Sequence, residues 1–99
     1  MDTTFDKLEV VNNPAEKRFE VWVNGQLAKL DYYEDGKTIV MTHVGVPIEF
    51  RGQGLAALIT KAGLDYARAN SLRVVPICSY VAAYIRRNPQ YMELTKSES

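Results

Sequence analysis

Arg51-Gly52-Gln53-Gly54-Leu55-Ala56 marks the point where this 99-residue sequence changes period. Before it, apolar and polar residues alternate as in β-strands; after it, they recur as on a helix. Leu55, Leu58, Ile59, Ala62, Tyr66 and Ala69 form one apolar stripe, which predicts an amphipathic helix over residues 54–70 that ends at Asn70-Ser71. Upstream, Phe19, Val21 and Val23 alternate with Arg18, Glu20 and Trp22, and Asn24-Gly25 supplies residues that tolerate positive φ in a tight hairpin. Residues 26–34 set Ala28, Leu30 and Tyr32 against Leu27, Lys29 and Asp31, and Asp35-Gly36 is a second hairpin signal. Residues 38–46 are rich in β-branched side chains and apolar on both faces, as a central strand should be. A short strand over residues 8–11, turned at Asn12-Asn13-Pro14, is expected at the start. Trp22, Tyr32 and Tyr33 are expected to pack within the sheet.

Downstream of the helix, residues 73–78 read as a short buried strand in which Pro76 withholds one ladder bond. Ser79 then N-caps a second helix over residues 80–87, which stops before Asn88-Pro89. A strand–helix–strand crossover of this length makes strands 38–46 and 73–78 parallel, by a right-handed connection. The expected fold is α+β: a mixed, mostly antiparallel sheet, a meander plus one parallel βαβ pair, with two helices. Residues 1–94 make one domain and residues 95–99 a frayed tail. Both parallel strands finish at the same edge, one running into residues 51–54 and the other into Cys78-Ser79.

Composition bounds the chemistry. The chain is 46% hydrophobic and 24% charged with no net charge. No stretch approaches the roughly eighteen apolar residues of a membrane span. Met1-Asp2-Thr3-Thr4-Phe5-Asp6 lacks the basic start and apolar run of a signal peptide, so a cytoplasmic protein is expected. One cysteine and one histidine leave no internal disulfide and no metal site of the usual ligand sets. The charge is unevenly spread: residues 1–50 carry five Lys/Arg against nine Asp/Glu, whereas residues 51–91 carry six basic residues against Asp65 alone. A basic half attracts a polyanion such as a nucleotide phosphate; the alternative is a set of scattered, solvated helix charges. Nucleic acid is disfavoured, because no dense Lys/Arg cluster with interleaved aromatics is present.

The segment 51–56 lies between a strand and a helix start, where unpartnered amides and the helix dipole favour an anion. Glycines beside those amides let a phosphate approach closely. A Walker loop fails here, because Leu55-Ala56 stands where Lys-Ser/Thr is required. Gly52-x-Gly54-x-x-Ala57 matches the dinucleotide fingerprint loosely, but it follows a meander and its next strand ends in Cys78-Ser79 rather than in an acid. Arg51, Gly54 and Ala56 satisfy a third pattern, the acetyl-CoA loop Arg/Gln-x-x-Gly-x-Gly/Ala. With Thr42-His43-Val44-Gly45-Val46-Pro47 before it, and Val75-Pro76-Ile77-Cys78-Ser79-Tyr80-Val81 and Tyr84-Ile85-Arg86-Arg87-Asn88-Pro89-Gln90-Tyr91 after it, the chain resembles the GNAT superfamily of N-acetyltransferases. It is most similar to the minimal single-domain members of about one hundred residues, a size at which one core still forms.

The resemblance implies a truncated GNAT fold and an acetyl-CoA-dependent N-acetyltransferase acting on a primary amine, either a small molecule or a protein lysine. Its rival is a CoA-binding module without catalysis. Acetyl-CoA or CoA would lie between the parallel strands, with the main chain of Val44, Gly45 and Val46 pairing with the pantetheine arm. The loop Arg51, Gly52, Gln53, Gly54, Leu55 and Ala56 would hold the pyrophosphate. Larger relatives use a strand carboxylate as base and a helix tyrosine as acid; this chain has His43 and Gly45 at those strand positions, and Tyr84 matches the tyrosine approximately. Cys78, just before a helix start that favours a thiolate, is either an acetyl carrier served by His43 as base or a small buried side chain. His43 is alternatively a hydrogen-bonded residue of the sheet. The chain is expected to act as a monomer or weak homodimer, with no membrane partner.

Overall fold

The structure, a computed structural model, describes residues 8–96. Five strands lie in sequence order: β1 (Val11–Asn13), β2 (Arg18–Val23), β3 (Gln26–Glu34), β4 (Thr38–Gly45) and β5 (Arg73–Pro76). The first four pair antiparallel, and β5 joins β4 in parallel. Helices α1 (Leu55–Ala69) and α2 (Ser79–Arg87) follow β4 and β5, and two 3-10 segments, Ile48–Phe50 and Pro89–Thr95, complete the chain order. No helix among the described residues is long and apolar enough to cross a membrane.

The hairpins form where the turn residues predict. Asn24 and Gly25 both take positive φ, 52° and 78°, which matches the twist of the flanking strands. In the next connection Gly36 sits at φ 94°, and the Asp35 carboxylate accepts the amides of Lys37 and Thr38 at 3.0 and 2.8 Å. The end of α1 closes equally locally. The amides of Ser71 and Leu72 donate to the carbonyls of Arg68 and Ala67, with Ser71 at φ 55° and Leu72 buried. This is a Schellman termination with serine in the usual glycine position.

Four local expectations need correction. The first strand is Val11–Asn13 rather than residues 8–11, because both asparagines are held in the sheet, Asn13 also opening the turn by accepting the Glu16 amide on its side chain at 3.2 Å. Asn13 Nδ2 donates to Glu20 at 3.0 Å, Asn12 Oδ1 accepts the Tyr32 hydroxyl, and the turn forms one step later with Lys17 at φ 59°. The last strand ends at Pro76, two residues early, because proline has no amide to give and Ile77 turns back to the Val75 carbonyl. Ser79 is the first helical residue of α2 and Cys78 is its N-cap, without a side-chain cap bond. Trp22 and Tyr33 are more than half exposed; only Tyr32 of the three aromatics packs in the core.

The buried face of α1 is also rotated from the expected stripe. Leu55, Ile59, Thr60, Gly63, Leu64 and Ala67 face inward, Leu58, Ala62 and Tyr66 lie at the margin, and Ala69 is exposed. Gly63 sets this rotation. A Cβ there would lie 2.7 Å from Leu30 Cδ2, so the helix backbone approaches the sheet so closely that a side chain at this position requires Leu30 to shift.

The core occupies one face of the sheet. Phe19, Val21, Leu30, Ile39, Met41 and Val74 meet Leu55, Ile59 and Leu64 of α1 and Val81 and Ile85 of α2. Tyr91, in the last 3-10 segment, joins the same core and donates its hydroxyl to Asp65 at 2.7 Å, with Arg68 stacked 4.9 Å over its ring. Thr95 ends that segment, its hydroxyl donating to the Met92 carbonyl at 2.8 Å; residues 97–99 of the expected tail and the 1–6 segment lie outside the described residues. The opposite face of the sheet carries Arg18, Glu20, Trp22, Lys29, Asp31 and His43, and neither helix covers it.

Candidate functional site

The site begins with one extra residue in β4. Asp31 pairs with His43, but the next residue, Tyr32, pairs with Met41, so Thr42 is a bulge. Its hydroxyl donates to the Asp31 carbonyl at 3.3 Å. A bulge bends its strand and increases the local twist. At this level β4 also loses β5: the parallel pairing runs from Thr38↔Arg73 to Met41↔Pro76 and stops. The Cys78 amide makes the last link, donating to the Met41 carbonyl at 3.0 Å. Past that bond, residues 42–45 have β3 on one side and, among the described residues, no strand on the other. An open strand edge of this kind can pair with an extended ligand.

The open edge leads directly to the loop. Ile48–Phe50 forms a single 3-10 turn, and Arg51 Nε donates to the Val46 carbonyl at 3.2 Å, which folds the arginine back over the strand end. Gln53 Nε2 donates to the Glu49 carbonyl at 3.1 Å, and Gln26 Nε2 donates to the Glu49 carboxylate at 2.8 Å. That bond holds the Glu49 carboxyl below its ordinary range and ties the loop to the start of β3. Sequence reasoning missed this brace, since residues 23 positions apart carry no local signal.

Gly52 and Gly54 take φ of 80° and 87°, a region that L side chains rarely adopt. A Cβ on either would meet nothing within 4 Å, so both face open space. Gly54 is the N-cap of α1 and gives no side-chain cap, and the first turn contains no acid. Its carbonyl accepts the Leu58 amide at 3.0 Å, whereas the amides of residues 55–57 precede the first intrahelical bond. An anion is the natural partner of such amides.

The residues singled out by sequence distribute around this opening. Val44 and Val46 pack against the core, while Gly45 and His43 face the bare side of the sheet. His43 is exposed, and its Nε2 lies 3.4 Å from where a Gly45 Cβ would be. Cys78 is half-buried at the point where β4 and β5 part. Tyr84 lies in the helical layer, its ring 6.5 Å from Tyr80 and 6.2 Å from Tyr91, and burial raises its hydroxyl above the ordinary tyrosine value. His43 and Tyr84 are therefore on opposite sides of the sheet, and the groups around Tyr84 are Tyr80, Tyr91, Lys61 and Asp65. The missing strand carboxylate has a neighbour: Asp31, on β3, shares a face with its partner His43 and pairs with Lys29 at 3.3 Å. A separate cleft of about 770 Å³ between Lys37, Arg73 and Lys96 lies at the far end of β4 and β5, away from the opening.

A five-stranded sheet with a bulged, splayed parallel pair and a glycine-flanked helix start defines an acyltransferase class. Residues 18–94 match the model of the GCN5-related N-acetyl-transferase family, and the chain belongs to it. Protein NATD1 of Homo sapiens is 35% identical over 91 residues, covering 87% of this chain and 80% of the relative. Protein NATD1 of Gallus gallus is also 35% identical, covering 87% and 83%. The solution structure of a GCN5-like protein from Staphylococcus aureus superposes with a TM-score of 0.70 at 27% identity, covering 95% of this chain and 93% of that one. The fold is thus the GNAT fold in its short form, and the chain is an N-acetyltransferase by family.

Proposed function

We propose that the protein transfers the acetyl group of acetyl-CoA directly to a primary amine, on a small molecule or a lysine side chain. One observation carries this reading: the unpaired edge of β4 leads, through the 3-10 turn Ile48–Phe50, to an uncapped helix N-terminus preceded by two glycines of positive φ. The residues fit the ligand in both halves. Backbone groups of Val44, Gly45 and Val46 suit the amides of a pantetheine arm, which can replace the missing strand. Amides from Gln53 to Ala56, with Gly52 and Gly54 leaving room and Arg51 beside them, suit the pyrophosphate. Acetyl-CoA supplies an activated thioester.

The remaining roles follow from the two sides of the sheet. The bare face is open to an acceptor amine, and His43 stands there as the group to take its proton. Tyr84, on the helical side, is the hydroxyl proposed to supply a proton to the departing thiolate, and burial holds it above the ordinary tyrosine value. Cys78 marks the level of the thioester and acts there as a small wall of the opening. Calorimetry with CoA tests the ligand half. Binding should weaken as salt rises, because the phosphate cradle is exposed and the Debye length falls from about 30 Å at 0.01 M to about 10 Å at 0.1 M. Thiol release from acetyl-CoA with a panel of amines tests transfer; CoA binding without release from any amine would make the protein a CoA-binding module.

A further inference from the structure

On the bare face, two side chains, Lys29 and His43, converge over Gly45, and a third, Asp31, pairs with the lysine. Lys29 is the partner of Gly45 across the β3–β4 pair, and its Cε lies 3.7 Å from the place a Gly45 Cβ would take. The lysine therefore leans across onto β4, the strand that borders the opening. Its Nζ turns to the Asp31 carboxylate at 3.3 Å, which is the level of His43 on the adjoining strand. His43 Nε2 closes over the same glycine at 3.4 Å. An amine, an imidazole and a carboxylate thus stand together beside the edge proposed to hold the thioester arm. The amine remains reachable, since the Lys29 side chain is 34% exposed.

We infer that Lys29 is itself an acetyl acceptor, modified by the acetyl-CoA bound to its own chain; the inference rests on the acetyl-CoA reading above. The chemistry balances with the groups named. The ammonium releases one proton to solvent, and the freed nitrogen attacks the thioester carbonyl carbon. The N–C bond forms as the C–S bond breaks. The second nitrogen proton passes to His43 Nε2 and from there to solvent, while the departing thiolate takes one proton from Tyr84, which regains it from solvent, leaving an amide on Lys29 and free CoA. Acetylation removes the cation that Asp31 pairs with, so the carboxylate is left to attract a cationic amine from outside. Lys29 in its unmodified state occupies the position such an acceptor would take.

The experiment incubates the full chain with acetyl-CoA, treats it with hydroxylamine and maps acetyl groups by peptide mass spectrometry. Hydroxylamine strips any thioester from Cys78 and leaves amides in place. Lys29 should be labelled at least about tenfold faster than Lys37, an exposed lysine at the far end of β4, with free CoA suppressing the difference. Lys29→Arg keeps the charge next to Asp31 and should bind CoA as the parent does while losing one acetyl equivalent. His43→Gln should slow Lys29 labelling by about tenfold or more. Equal labelling of Lys29 and Lys37 would overturn the inference. So would an unlabelled Lys29 in a protein that binds CoA and acetylates an added amine. Absence of CoA binding by calorimetry would overturn the acetyl-CoA reading itself, and is read independently of any label.

Discussion

Gly54→Ala separates the two tasks of the loop, because the protein places nothing near the added methyl. Gly54 has φ 87°, and a Cβ there would meet no atom within 4 Å. The only folding cost is the left-handed backbone, about 1–2 kcal/mol for a residue with a Cβ. In a domain of this size that lowers Tm by about 4–8 °C per kcal/mol. The cost to the ligand is different in kind. The methyl would project into the open space before the first turn of α1, the space proposed above for the pyrophosphate. CoA affinity should fall at least about tenfold, equivalent to about 1.4 kcal/mol. Gly36→Ala is the control: its φ is 94°, its Cβ would also meet nothing within 4 Å, and it sits in the β3–β4 hairpin away from the opening. It should lose similar stability and keep its CoA affinity. Calorimetry on both variants, at a temperature where each is folded by circular dichroism, decides the matter. Wild-type affinity in Gly54→Ala would refute the pyrophosphate loop, and equal losses in both variants would show that affinity merely follows stability.

Three further outcomes are expected. Cys78→Ala should keep most of its thiol-release rate, since a half-buried small side chain is replaced by another and its backbone bond to Met41 is untouched; abolished turnover together with a hydroxylamine-labile acetyl group on the parent would establish a carrier instead. The hydrogen bond from Arg18 Nε, at 2.7 Å, holds the Glu20 carboxyl below its ordinary 4.5, so its stabilisation is complete above that value and lost as pH falls through the folded value. Glu20→Gln should therefore flatten the acid limb of the urea midpoint below about pH 4.5 while lowering the midpoint at neutrality. Gly63→Ala gains about 1 kcal/mol of helix propensity but forces a methyl to 2.7 Å from the fully buried Leu30. Overpacking of that kind costs about 1–3 kcal/mol, so thermal melts should show net destabilisation, relieved in part by Leu30→Val; a more stable Gly63→Ala would show that the helix is free to retreat.

What the sequence made legible was mostly encoded within a few residues, although the N-cap at Cys78 and the strand end at Pro76 were local and still misread. Asn24-Gly25 and Asp35-Gly36 placed both hairpins because positive φ is a local demand. Asn70-Ser71 placed the end of α1, and Arg51-Gly52-Gln53-Gly54 placed its start, for the same reason. The strand–helix–strand order then made β4 and β5 parallel and brought Cys78 beside the loop's strand. Misreadings arose where a residue's role depends on a distant partner. Asn12 and Asn13 carry a turn composition but are held in β1 by Tyr32 and Glu20. Thr60 and Gly63 do not count as apolar, yet the surface that α1 meets makes them its buried face.

The bulge at Thr42 is the deepest of these cases, because it decides which way His43 faces as well as the shape of the strand. Carried back from Glu34↔Ile39 and Tyr32↔Met41 without a break, the register would set His43 opposite Leu30. Leu30 is fully buried against α1, so the imidazole would face the core. One extra residue moves the partner to Asp31 and turns His43 to the bare side, while Val44 takes the place opposite Leu30 and packs inward. A period-two reading of residues 38–46 cannot reveal this, since both alternatives put apolar letters on both faces. The same extra residue falls where β4 parts from β5, one position after the last parallel pair at Met41. The open strand edge and the orientation of His43 therefore share one cause. The base and the thioester slot proposed above would therefore both trace to a single residue inserted in one strand.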